Sequence, residues 1–171
     1  MARSLALVAL LLTAPALSQG TSFVNWESPQ THAVDVTPDG QTLVAVNTPD
    51  ARLEVFDLVG GVPTARGSVP VGLDPVSVRV RGNAEAWVVN QVSDSVSVID
   101  LATLRVTRTI AIGDEPADVV FAGSPQKAFV TLNVAEKVAV VDAASPGTVS
   151  SIAIAGSAPR SMAVSPDGSK V

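Results

Sequence analysis

Leu53-Glu-Val-Phe-Asp57, Val96-Ser-Val-Ile-Asp100 and Val138-Ala-Val-Val-Asp142 are one pattern written three times. Each is a short apolar run closed by aspartate. From Asp57 to Asp100 is 43 residues, and from Asp100 to Asp142 is 42. A second apolar run stands before each: Leu43-Val-Ala-Val-Asn47, Trp87-Val-Val-Asn90 and Phe129-Val-Thr-Leu132. Further upstream come alternating pairs, Val34/Val36, Val78/Val80, Val119/Phe121 and Met162/Val164. Each begins three residues after a turn-former: Thr31, Pro75, Pro116 or Pro159. A last run follows each repeat (Arg66–Val71, Val106–Ile112, Val149–Ile154), and Gly72, Gly113 and Gly156 then release the chain.

The repeating unit therefore reads as four short strands, A to D. In the first unit Thr37-Pro-Asp-Gly40 joins A to B. Proline presets φ for a turn and glycine accepts positive φ, so this is a hairpin signal, and Ser165-Pro-Asp-Gly168 repeats it. A four-stranded unit of this length is a propeller blade by strand count and spacing. One blade cannot bury both faces of its sheet, so neighbouring blades must stack around an axis, which accounts for the nearly continuous apolar character of strands B and C.

Composition agrees. Of 171 residues 30 are valine, and 47% are hydrophobic against 16% charged. That balance suits strands and excludes a disordered chain. The net charge of −5 argues against nucleic acid as a partner. The absence of cysteine excludes disulfides, thiolate metal sites and c-type haem attachment, and a single histidine, His32, excludes a His-rich metal site.

The first eighteen residues read as a secretory signal peptide. Arg3 supplies the positive start, Leu5–Leu12 the apolar run, and Ala16 and Ser18 the small residues before cleavage. Eight apolar residues fall far short of the roughly 20 that span a bilayer, so no membrane insertion is expected once this segment is removed. The expected location is periplasmic or extracellular. Residues 19–30 read as a lead-in, in which Phe23 and Trp26 are the anchors of a ring-closing outer strand. Blade 1 is expected over 31–74, blade 2 over 75–115 and blade 3 over 116–158, with a fourth blade beginning at 159–171. That is about three and a third repeats, fewer than the four that usually close a ring. The expected fold is all-β: four-stranded antiparallel blades forming the N-terminal part of a longer propeller, or else a half-ring that pairs with another chain. Its open end should expose an apolar sheet face.

With the repeats aligned, the units resemble the YVTN β-propeller repeat family. Val44-Ala-Val-Asn47, Val88-Val-Asn90, the Val-Thr-Pro-Asp-Gly at 36–40, the Val-Ser-Pro-Asp-Gly at 164–168 and the Val-x-Val-x-Asp endings carry the likeness. Three departures stand out: Leu132 replaces the strand-B asparagine in the third unit, Arg81-Gly-Asn-Ala84 shortens a turn in the second, and the family tyrosine is Val44, Trp87 or Phe129. The resemblance implies an exported seven-bladed ring. It also implies a recognition or scaffold role, or alternatively the propeller part of a lactonase-like or haem-linked periplasmic enzyme.

In propellers the B–C and D–A loops share a rim that usually binds. His32 and Arg160 follow the residues that open the first and fourth units, and at the channel mouth they would meet an anionic ligand. Asp50, Asp94 and Glu136 put one acid in each B–C loop. One acid per loop is too sparse for a cation needing six to eight oxygens, so no metal or cofactor is expected. No catalytic constellation is expected either: no G-x-S-x-G accompanies His32, and Asp74 and Glu115, each before a proline, are separated by a blade. The expected partner is a protein or small molecule at the rim. Asp57, Asp100 and Asp142 read as structural acceptors for the following turn, and Asn47 and Asn90 as local turn residues.

Overall fold

The computed structural model describes residues 28–171 as strands, turns and loops. The targeting segment and most of the lead-in, Trp26 included, lie outside the described residues. Blade 1 holds β1 (Val34–Val36), β2 (Thr42–Asn47), β3 (Arg52–Val59) and β4 (Val62–Pro70). Blade 2 holds β5 (Pro75–Arg81), β6 (Glu85–Asn90), β7 (Ser95–Asp100) and β8 (Arg105–Ala111). Blade 3 holds β9 (Pro116–Ala122), β10 (Lys127–Leu132), β11 (Lys137–Asp142) and β12 (Val149–Ala153). Each is a four-stranded antiparallel sheet in chain order, and the three make an open propeller arc.

The hairpin turns form by the chemistry their residues suggest. Gly40 takes φ +69°, and its N–H donates to Thr37 at 2.8 Å. The Thr37 hydroxyl donates to Asp39 Oδ1 at 2.6 Å, and the same oxygen accepts the N–H of Gln41 at 3.0 Å. Ser165, Asp167 and Gly168 reproduce this turn (2.6 Å from Ser165 Oγ to Asp167 Oδ1, φ +69° at Gly168). The alternating stretch before it, Met162–Val164, is not a strand. An inner strand draws its ladder from the second strand of its own blade, and no described residue offers one.

The aspartates closing strand C divide. Asp100 Oδ1 accepts the N–H groups of Ala102 (2.9 Å) and Thr103 (2.7 Å), and Asp142 Oδ1 those of Ala144 (2.8 Å) and Ser145 (3.0 Å). Asp57 does not follow them. In blade 1 the β3–β4 hairpin runs on through Leu58↔Pro63 and Val59↔Val62, so no turn begins at Asp57, and its carboxylate pairs with Arg66 at 3.1 Å instead.

These turn bonds lower the carboxyl pKa values. The side-chain bond from Thr37 lowers Asp39, the backbone N–H of Thr103 lowers Asp100 and that of Ser145 lowers Asp142; the Ser165 hydroxyl, followed by the N–H and hydroxyl of Ser169, brings Asp167 from 3.8 to about 2. A carboxyl that binds its proton less tightly when folded contributes stability above its unfolded value and loses it as pH falls through its folded value. The urea midpoint should therefore fall as pH drops from 4 toward 2. An Asp100→Asn/Asp142→Asn double variant should lose part of that slope. A slope unchanged in the double variant would remove these turns from the account.

Blades meet face to face. β1 lies against β5 and β5 against β9, whereas the outer β4 and β8 barely touch, so the sheets fan outward from the inner strands. His32 and Ser77 form a parallel bridge at the inner edge. Blade 2 is apolar on both faces. Val78, Ala86, Val88, Ile99 and Leu101 pack on Val44, Val46, Leu53, Val55 and Val69 of blade 1. Val76, Trp87, Val89, Val96 and Val98 pack on Val119, Val130, Leu132, Ala139 and Val141 of blade 3. A bulge in β5 between Pro75 and Ser77 puts Val76 and Val78 on opposite sides although they are two residues apart. The outward face of blade 3 is open, as expected: Phe129, Val138 and a 53%-exposed Ile152 line an apolar recess of about 280 Å³.

Gly72, just beyond β4, is a close approach. A Cβ there would stand 2.7–2.8 Å from three side-chain atoms of Asn90. Asn90 is fully buried and donates to the hydroxyls of Ser95 (3.2 Å) and Ser97 (3.0 Å), so it cannot swing away without losing both bonds. Gly72→Ala should cost about 1–3 kcal/mol by chemical denaturation, the range of an overpacked site. A neutral result would mean that the loop carrying Gly72 yields instead.

Candidate functional site

The rim formed by the B–C and D–A loops is a lattice of left-handed residues that are not glycine. In the B–C loops these are Ala51 (φ +52°), Asp94 (+50°) and Glu136 (+51°); in the D–A loops they are Asp74 (+56°), Glu115 (+46°) and Ala158 (+51°). Each D–A member precedes a proline, which excludes the right-handed helical region for it. The strained backbone is held by hydrogen bonds that recur. The carbonyls of Ala51, Asp94 and Glu136 accept the N–H groups of Val71 (3.0 Å), Ile112 (3.0 Å) and Ile154 (3.3 Å). Those of Asp74 and Glu115 accept Gln91 (2.9 Å) and Asn133 (3.0 Å), tying each D–A turn to the B–C loop of the next blade.

This lattice places the five residues singled out from the sequence. Asp94 and Glu136 occupy one structural position, which in blade 1 belongs to Ala51; Asp50 stands one residue earlier. Asp50 Oδ2 accepts Asn47 Nδ2 at 2.9 Å and so serves the loop that carries it, whereas Asp94 Oδ1 accepts the N–H of Glu115 at 3.0 Å and ties its B–C loop to the following D–A turn. Glu136 is exposed. His32 joins blades 1 and 2 through its main chain: its N–H donates to Val76 at 3.3 Å, and its carbonyl accepts from Val78 at 2.9 Å. Arg160 donates from Nη2 to the carbonyl of Pro29 at 2.6 Å, three residues before His32. The structure thus brings Arg160 to the segment leading into His32 and leaves the three acids on their separate B–C loops.

A different group converges on this rim. Glu115 Oε2 accepts Nε2 of Gln91 and Nδ2 of Asn133, each at 3.4 Å. With their amide nitrogens turned to the carboxylate, the carbonyl oxygens of Gln91 and Asn133 point elsewhere, and both are buried without a partner. Turning either amide over would set its oxygen against a carboxylate. Gln91 itself is 5% exposed. Leaving a buried acceptor unsatisfied costs about 1–3 kcal/mol. Gln91 and Asn133 each stand directly after a B strand, where blade 1 has Thr48, whose hydroxyl donates to Pro75 O at 2.7 Å. That shared position was the one available sequence signal. The separation of 24 residues from Gln91 to Glu115 concealed the rest.

A family model described as a YNCE-like beta-propeller matches residues 4–165. The chain belongs to that family. Among solved structures, this YNCE-like propeller chain is similar to Kuenenia stuttgartiensis hydrazine synthase (28% identity, TM-score 0.74, 88% of this chain and 43% of that one). It is also similar to a putative 6-phosphogluconolactonase from Bacteroides uniformis (19%, 0.67, 80% and 45%) and to a functionally unknown protein from Desulfotomaculum acetoxidans (18%, 0.66, 80% and 46%). The chain spans less than half the length of each. A comparison with curated proteins found no match.

Within the YNCE-like arc, the Gln91–Glu115–Asn133 group is rich in acceptors. Two amide carbonyls and a half-buried carboxylate call for donors: hydroxyl or ammonium hydrogens, or ordered water. Among the described residues, no three His, Cys, Asp or Glu side chains are grouped as metal ligands.

Proposed function

We propose that this YNCE-like chain is an exported recognition module that presents its B–C and D–A rim to a donor-bearing ligand, a small molecule or a protein side chain. The observation that carries this reading is the half-buried Glu115 carboxylate, held on the rim between the amides of Gln91 and Asn133. The rigid loops around them favour recognition, because a left-handed, cross-bonded rim holds its acceptors in fixed positions before a ligand arrives. Export rests on the Arg3, Leu5–Leu12 and Ala16/Ser18 pattern.

Two measurements test the two parts. Saturation-transfer NMR of the full chain with glycerol, mannitol, ethanolamine and putrescine should show contact with at least one, lost in Glu115→Gln. Transfer to none of them, or transfer unchanged in the variant, overturns the rim reading. Residues 1–30 fused ahead of a reporter enzyme active only outside the cytoplasm should give activity that Leu10→Arg abolishes; an inactive reporter behind the unaltered segment overturns export.

The likeness to hydrazine synthase, 28% identical over 88% of this chain, favours a second reading: the propeller portion of a larger oxidoreductase. The chemistry would then belong to groups outside this sequence. A downstream reading frame with Cys-x-x-Cys-His would support it; further blades followed by a stop codon would support recognition.

A further inference from the structure

On the side of the arc opposite the B–C and D–A rim, a groove of about 460 Å³ runs along the inner strands. Its lining includes Asp35, Arg79, Val120 and Ala163, each one residue beyond Val34, Val78, Val119 and Met162, which recur from unit to unit. Four successive units thus contribute the same register position to one groove, which follows the axis. Three of the four offer no free donor. Val120 and Ala163 are apolar, and Asp35 is occupied: its Oδ1 accepts the N–H of Val36 and its Oδ2 that of Val80, each at 2.9 Å.

Arg79 is the exception. It is half-buried on β5, paired across the sheet with the fully buried Trp87. Its Nε is buried and has no acceptor. The two ion pairs among the described residues are Arg66–Asp57 and Arg81–Glu85, so neither involves Arg79. Glu85 Oε1 already takes the indole N–H of Trp87 at 2.6 Å and Arg81 Nη1 at 3.2 Å, and Gln126 Oε1 takes Arg81 Nε at 2.9 Å. The neighbouring cation is thereby neutralised and held, while Arg79, without an ion pair among the described residues, lines a groove of a size for a small organic anion, which it shares with the Asp35 carboxylate. Guanidinium is the group that grips carboxylate and phosphate oxygens two at a time.

We infer that this axial groove binds a small oxyanion, carboxylate or phosphate, through Arg79. The test is a titration of the full chain with inorganic phosphate and, separately, with succinate, at constant ionic strength set by sodium chloride. It is read at the Nε–Hε NMR resonance of Arg79, which is assigned by its loss in Arg79→Gln. At least one anion should move that resonance saturably, and the thermal stabilisation it confers should weaken about tenfold or more in Arg79→Gln, as expected on removing a charge-assisted fork. Saturation by phosphate alone identifies a phosphoryl ligand, by succinate alone a carboxylate, and by both a general oxyanion site. A shift that does not saturate, or that chloride reproduces, overturns the inference. So does stabilisation that persists in Arg79→Gln. If that variant does not fold, the wild-type titration decides, because it observes Arg79 directly.

Discussion

Trp87→Ala should lower the unfolding free energy by about 3–5 kcal/mol, the range for an aromatic removed from a packed core. Trp87 is fully buried in β6 between blades 2 and 3. Its ring meets Phe121 edge to face, with centroids 5.3 Å apart and planes at 88°, and its N–H reaches Glu85 Oε1 at 2.6 Å. Truncation opens a cavity where blade 3 leans on blade 2 and removes one of the two donors on that Glu85 oxygen. Trp87→Phe keeps most of the volume and loses the N–H, so it should cost less than half as much. Guanidinium denaturation of the two variants separates packing from the hydrogen bond; equal losses would show that the bond, not the ring, holds the interface.

Asp118→Ala should cost about 3 kcal/mol or more. This carboxylate on β9 is 1% exposed. It is held by donors from three successive units: the Ser77 hydroxyl to Oδ1 at 2.7 Å, the Val119 N–H to Oδ1 at 2.9 Å and the Met162 N–H to Oδ2 at 3.0 Å. Removing it strands the buried Ser77 and Val119 donors, at about 1–3 kcal/mol each. Asp118→Asn keeps one acceptor oxygen and turns an amide against the remaining N–H, so an intermediate loss is expected. If denaturant curves of Asp118→Ala and the wild type coincide, this carboxylate does not join the inner strands.

Neither residue stood out in the sequence, although the architecture did. Period-two alternation, the 43-residue spacing and the Pro-Asp-Gly turns are local signals, and they sufficed to read strands, hairpins and blades. The open apolar face of blade 3 followed from the same reading. What failed was inference from equivalence. Asp57, Asp100 and Asp142 look alike in sequence, yet a longer hairpin gives Asp57 a different partner. Asp50 looks like Asp94 and Glu136, yet stands one position from theirs. The Gln91–Glu115–Asn133 group, and Arg79's lack of an ion pair among the described residues, were hidden for a related reason. Each depends on which loop of one blade lies over which turn of the next, and a repeat period carries no record of those pairings.

The two apolar cores share no residue, because blade 2 sends alternate side chains to opposite neighbours. The molecule is therefore built as links rather than as a ball. Injury at the first link leaves the second with its full complement of contacts, and energetic effects at the two should simply sum. What couples them is the single sheet they have in common, so a change that bends blade 2 as a whole is felt at both ends.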